Sequence, residues 1–192
     1  QLKGYNTDWL GFTKALEANG ISIQGKDCLI LGAGGAARAV AYAASQNEPA
    51  SITIANRTLE KADSLASWIN TVNSKIKANS ITLEEADTVT KVQIVINCTS
   101  LGMSPHSDTS PFTSHDLGQY HLLVDTVYTP PVTRFLFDGS SAGARTVGGL
   151  DMFIYQGLAS LDLWFAKPIS QQVDVRSVSK YLKEKLMEAS LS

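Results

Sequence analysis

The nine residues "GAGGAARAV", from 32 to 40, hold the spacing of greatest chemical interest in this chain. Gly32, Gly34 and Ala37 fill a G-x-G-x-x-A pattern directly after the apolar run "DCLIL". Such a pattern says little alone, but between a strand and a helix it describes a turn on which a dinucleotide pyrophosphate can lie. Gly32 permits the tight turn, and Gly34 and Gly35 leave no side chain between the backbone and a phosphate. The N–H groups that open the following helix, at the positive end of its dipole, then attract the anion.

A second polar cluster ends the next apolar run, in "ANRTLEKA". A site for NAD carries an acidic residue roughly 20 positions beyond the glycines, on the ribose 2′-hydroxyl. Here Asn56 stands at that end, followed by Arg57, Thr58 and Lys61. A guanidinium, a hydroxyl and an ammonium suit a 2′-phosphate, which a carboxylate would repel. The expected cofactor is NADP; the alternative is that Arg57 and Lys61 are solvated surface charges.

These groups need a sheet to hold them. Strand-like runs are predicted at 27–32, 51–56, 75–79, 93–98, 122–127 and 144–149, with helices at 35–46, 58–71, 82–88 and 131–141 between them. The alternation predicts an α/β fold, a Rossmann-like doubly wound parallel sheet whose ligands sit beyond the carboxyl ends of the strands. The motif-bearing loops follow strands one, two, four, five and six. The segment 98–116, with two prolines and many Ser and Thr residues, reads as a long functional loop. Two helical regions flank this body. "NTDWLGFTKALEANG" has a capping-type start at Asn6 or Thr7, apolar residues Trp9, Phe12, Ala15 and Leu16 at helical spacing, and a stop at Gly20. "GLDMFIYQGLASLDLWF" is apolar around much of its circumference, and "VRSVSKYLKEKLMEA" is amphipathic. Gln156 lies on the first of these two, where an amide is costly unless partnered.

The 192 residues carry a net charge of −2, which gives no electrostatic footprint for nucleic acid or an anionic membrane. No run approaches the roughly 18 apolar residues of a membrane span, and no signal-peptide profile opens the chain, so a cytoplasmic location is expected. Cys28 and Cys98 sit in strand-like contexts and read as inert reduced thiols. His106, His115 and His121 show no ligand spacing, and no metal site is expected. The first residue is Gln1, which suits a fragment, a processed product or a chain whose beginning is not included.

Taken together, "GYNTD", "LGAGGAARA", "NRTLEKA", "NCTSLGM", "VDTVYTPPVT" and "GGLDMFIYQG" resemble the shikimate dehydrogenase (shikimate/quinate dehydrogenase) family in order and spacing, over nearly the whole chain. The resemblance implies an oxidoreductase that reduces 3-dehydroshikimate to shikimate with NADP, on the route to aromatic amino acids. It places the phosphate loop on Gly32, Ala33, Gly34, Gly35 and Ala36, and the adenosine-phosphate site on Asn56, Arg57, Thr58 and Lys61. Thr99 and Ser100 would lie along the cofactor, with Thr126 and Gly149 near the nicotinamide; Thr126 stands where many relatives carry Met. Tyr128 and Gln156 match substrate contacts, and Asp8 matches the aspartate of a catalytic Lys–Asp pair that also bonds a substrate hydroxyl. The structural alternatives are a helix cap for Asp8, packing for Tyr128 and an interhelical hydrogen bond for Gln156.

The family's lysine, an asparagine and a Ser-x-Ser clamp belong to an N-terminal segment not seen here, and Lys3 does not match the lysine. The resemblance therefore divides the chain into a linking helix (1–22), an NADP-binding domain (23–149) and C-terminal helices (150–192), the flanking helices belonging to an incomplete substrate domain. If complete as given, the chain is expected to bind NADP and reduce nothing efficiently; if part of a longer protein, the full enzyme is expected to be a competent dehydrogenase, the case that the apolar flanking helices favour. The rival readings are a quinate/shikimate dehydrogenase of broader substrate use, another Rossmann reductase with a similar "NRT" turn such as glutamyl-tRNA reductase, and a non-catalytic NADP-binding module. A homodimer is compatible with the sequence.

Overall fold

The computed structural model describes residues 2–112 and 117–190. Its strands are β1 (Asp27–Leu31), β2 (Ser51–Asn56), β3 (Lys77–Thr82), β4 (Ile94–Asn97), β5 (Leu122–Asp125) and β6 (Arg145–Val147). They form one parallel sheet in the order β3-β2-β1-β4-β5-β6. The order reverses between β1 and β4, and at such a switch point the loops on either side part and leave a crevice. β1 is central and buried on both faces, with Leu29, Ile30 and Leu31 fully inaccessible, which is why its sequence is continuously apolar rather than alternating.

The helices are α1 (Asp8–Ala18), α2 (Gly35–Gln46), α3 (Leu59–Val72), α4 (Arg134–Ser141), α5 (Gly149–Phe165) and α6 (Val175–Ser190). On one face of the sheet, Phe12, Leu16, Val40 and Ile69 from α1, α2 and α3 pack onto Ile30, Ile52, Ile54 and Ile96. On the other, Phe135 and Leu136 of α4 cover Leu29, Leu31, Val95 and Leu123. A separate cluster joins Leu150, Ile154 and Leu158 of α5 to Val178 and Leu182 of α6. Trp9, Tyr42 and Trp68 form an aromatic run across α1, α2 and α3, with ring centroids 5.4 and 6.2 Å apart, and the Arg38 guanidinium lies 4.1 Å from the Trp68 ring centre.

Several predicted boundaries move. The third strand starts at Lys77 rather than 75, because its ladder with β2 pairs Lys77 to Thr82 against Ser51 to Asn56, a backbone constraint its polar sequence does not advertise. The helix expected at 82–88 is a 3-10 turn, Leu83–Thr88, closed by a reciprocal Thr82–Glu85 cap. The run at 122–127 leaves the sheet at Asp125, whose carboxylate takes the Val127 N–H that a longer strand would give to the ladder. α4 begins at Arg134 because Thr133 caps it. Thr7 is the N-cap position of α1 but makes no capping bond with its side chain; Asn6 Oδ1 accepts from the Asp8 N–H instead. His106 and His121 are exposed, and among the described residues no cluster could hold a metal ion. His115 and the last part of the 98–116 loop lie outside the described residues. No helix among those residues is long and apolar enough to cross a membrane.

Candidate active site

At the switch point the turns after β1, β2 and β4 enclose a cavity of about 340 Å³. Gly32, Ala33 and Gly34 form one wall, Asn56, Arg57, Thr58 and Lys61 a second, and Cys98, Thr99, Ser100 and Leu101 a third, with Leu83 at the edge. Gly32 has φ +106, and a Cβ there would come within 2.9 Å of the Cys98 carbonyl oxygen. Glycine is thus required by the turn and by the approach of the β4 loop. Gly34 and Gly35 differ: a Cβ on either would meet nothing within 4 Å, so the protein's own packing does not demand them. They keep open the space over the start of α2, where Gly34 is the N-cap without a side-chain acceptor and the first-turn N–H groups lack helical partners. That is a cradle suited to phosphate.

Among the described residues, no carboxylate lines this cavity. Asn56 turns its amide onto the Thr58 carbonyl at 2.9 Å, Thr58 does not spend its hydroxyl on capping α3, and Arg57 and Lys61 form no ion pair among the described residues. Two cationic groups and a hydroxyl therefore line a cavity suited to an anionic ligand, although Arg57 also borders a neighbouring hollow that holds Glu84 and Asp87. Ala36, half-buried in the first turn of α2, does not line the cavity.

The remaining predicted residues gather where α1 crosses α5. Gly149, Phe153, Gln156 and Ser160 recur on one face of α5. Gly149 opens the helix against β5's exit: its N–H donates to the Val127 carbonyl, and an added Cβ would lie 2.3 Å from the Thr126 oxygen. Thr126 ties both its N–H and its hydroxyl to the Asn97 carbonyl, at 2.9 and 3.0 Å. Tyr128, 39% exposed, stacks on Phe153 with centroids 4.6 Å apart. Gln156 Nε2 donates to the Phe153 carbonyl at 3.0 Å, and Thr7 Oγ1 donates to Gln156 Oε1 at 3.4 Å while contacting Ser160 Oγ at 3.0 Å. Asp8, next along from Thr7, is half-buried at the start of α1. Gly11 makes this crossing close, since a Cβ there would stand 2.6 Å from the Met152 carbonyl oxygen and 2.8 Å from Gln156. Lys3 lies over the Tyr5 ring, 5.0 Å from its centre.

Sequence reading missed a buried polar group between the two halves: Asn97, Asp125 and Thr133, each fully inaccessible. The available signal was that two apolar runs end in Asn and Asp rather than in another aliphatic residue. Burial pushes the Asp125 carboxyl up to about 6, against the opposing hydrogen bonds from Thr133, Val127 and Asn97. Burial, with the charge of Asp27, pushes the Cys28 thiol up to about 12, and burial with the charge of Asp125 raises Cys98 further, so both are inert at neutral pH. A larger hollow of about 700 Å³ lies between the end of α1, α5 and α6; Asp151 and Tyr155 of the "GGLDMFIYQG" run line it, but none of the predicted site residues does.

Comparison with known proteins is consistent with this geometry. A family model described as shikimate / quinate 5-dehydrogenase matches residues 14–108. A shikimate dehydrogenase (NADP(+)) of Caldicellulosiruptor saccharolyticus is 39% identical over 167 residues, covering 86% of this chain and 58% of the relative. A structure of shikimate 5-dehydrogenase from Listeria monocytogenes in complex with shikimate and NAD superposes with a TM-score of 0.82 at 28% identity, over 93% of this chain and 63% of that one. The Thermus thermophilus enzyme in complex with NADP(H) and shikimate gives 0.69 at 33% identity, over 84% and 57%. The chain thus spans roughly three fifths of the length of the relatives it matches.

Proposed function

Because the chain belongs to the shikimate / quinate 5-dehydrogenase family, we propose that it serves the reversible, NADP-dependent reduction of 3-dehydroshikimate to shikimate in the cytoplasm. The observation that carries this reading is the switch-point cavity, in which an open glycine cradle meets Arg57, Thr58 and Lys61 with no carboxylate among the lining residues. Gly32, Ala33 and Gly34 would hold the pyrophosphate from the cavity wall, with Gly35 and Ala36 contributing through the first turn of α2 beside it. Asn56, Arg57, Thr58 and Lys61 would hold the 2′-phosphate, Thr99 and Ser100 the length of the nucleotide, and Thr126 and Gly149 the ring end.

When bound, NADPH supplies a hydride to the substrate carbonyl carbon. The oxygen then gains negative charge and needs a proton, so a donor must be held at that atom. Asp8 is the group we assign to orient that donor and to accept a hydrogen bond from a substrate hydroxyl. Gln156 keeps one N–H and one lone pair beyond its bonds to Phe153 and Thr7, and Tyr128 keeps its phenol, which suits a polyhydroxy acid. In this reading residues 23–149 form the cofactor unit, and 1–22 with 150–192 form the substrate side through the α1–α5 crossing.

Titration of the chain with NADP and NAD, followed by turnover assays with shikimate and quinate, tests the proposal. Preference for NADP with shikimate is the expected result; equal binding of both dinucleotides removes the cofactor assignment, and quinate preference replaces the substrate. Sedimentation of the NADP complex checks whether the working unit is a homodimer.

A further inference from the structure

Asn97 ends β4, Asp125 ends β5 and Thr133 caps α4, and all three are fully buried at the carboxyl edge of the sheet. Asn97 Nδ2 donates to Asp125 Oδ1 at 3.0 Å and to the Leu101 carbonyl at 3.2 Å. Asn97 Oδ1 accepts the Thr99 N–H at 3.0 Å and the Thr99 hydroxyl at 2.7 Å. Asp125 Oδ1 also accepts the Val127 N–H at 2.9 Å, and Oδ2 accepts the Thr133 hydroxyl at 2.6 Å. Thr99 and Leu101 wall the nucleotide cavity, whereas Val127 and Thr133 bracket the segment that carries Tyr128.

We propose that Asp125 is a positioning residue: through Asn97 and Thr133 its carboxylate locks the loop after β4, which walls the nucleotide cavity, to the loop after β5, which carries Thr126 and Tyr128. The inference rests on reading that cavity as the NADP site. A neutral side chain would not serve equally, because three donors converge on this carboxylate and only an acceptor-only group satisfies all of them. The folded value near 6 lies above the ordinary 3.8, so this group's contribution to stability is complete below about pH 4 and is lost as pH rises through about 6. At neutral pH the group is largely ionised, and that form stabilises the fold less than the protonated one would. The groups facing it from β4, from the Val127 segment and from α4 are the uncharged Asn97 amide, Val127 N–H and Thr133 hydroxyl. Its titratable neighbour is the Cys98 thiol, while Arg134 and Asp138 of α4 pair with each other at the surface.

The test compares the full chain with D125N, T133V and T133S by NADP titration at pH 7.5, and follows backbone amide shifts of Thr99, Leu101, Val127 and Thr133 from pH 5 to 8. In the unsubstituted chain all four amides should titrate with one shared midpoint near 6, and in D125N none should. D125N should bind NADP about tenfold more weakly, T133V about threefold more weakly, and T133S as the parent does. Amides of Thr99 and Leu101 that stay fixed while Val127 moves overturn the coupling, as does unchanged NADP affinity in D125N. If D125N does not fold, the T133V and T133S pair decides: equal affinity in both overturns the proposal. Should the parent chain not bind NADP, the cofactor reading fails, and the shared or split midpoint alone decides the role of Asp125.

Discussion

The two halves of the site are built differently. The nucleotide cavity is made by three turns, each a few residues beyond a strand of the same sheet, and its chemistry comes from backbone groups, short polar side chains and the two cations Arg57 and Lys61. The Asp8, Tyr128 and Gln156 region draws its side chains from two helices and a loop, joined through a ring stack and a 3.4 Å hydrogen bond. The first half is fixed by the sheet itself. The second depends on how α1 lies across α5, so it is the half that packing changes will disturb without touching a functional group.

That contrast can be broken from either side. Gly34→Val should have the largest effect: its Cβ projects into open space, so the fold survives, while NADP affinity falls by on the order of a hundredfold, measurable by calorimetry. Gly11→Ala attacks the other half. It forces a carbon toward the Met152 carbonyl and should cost about 1–3 kcal/mol in urea unfolding, weaken shikimate binding and leave the nucleotide affinity of the folded protein near that of the parent. Arg57→Ala should weaken NADP about tenfold and NAD hardly at all, a discrimination that direct competition between the two would display. Gln156→Ala should be smallest, lowering shikimate affinity about threefold in the presence of NADP with no change in nucleotide binding alone. A Gly11 variant that loses NADP and shikimate together would show that the halves are not separable.

The same contrast explains what could be read in advance. The glycine turn and "NRT" are contiguous, and each has a local physical reason, so their placement around one cavity followed from strand order. The polar lock was not legible, because Asn97 and Asp125 stand 28 positions apart and meet only when β4 pairs with β5. The capping-type start at Asn6 or Thr7 was legible, with Asn6 as the acceptor, but the Thr7 hydroxyl has a second use that was not: it is taken by Gln156 and Ser160 from a helix some 150 residues away. The start of β3 failed for want of pattern, since "KANSIT" takes its register from β2 and not from alternation of its own.

The aromatic run of Trp9, Tyr42 and Trp68 gives the molecule an optical property. Two of its three tryptophans sit half-buried against α2, the helix that the glycine turn opens, whereas Trp164 is 77% exposed at the far end of α5. Emission should therefore separate into a blue component from the first pair and a red component from Trp164, which iodide quenches first. Reduced nicotinamide absorbs where tryptophan emits, so energy transfer would dim each component according to its distance from the bound ring. The chain carries its own ruler for where a dinucleotide lies, with no label added.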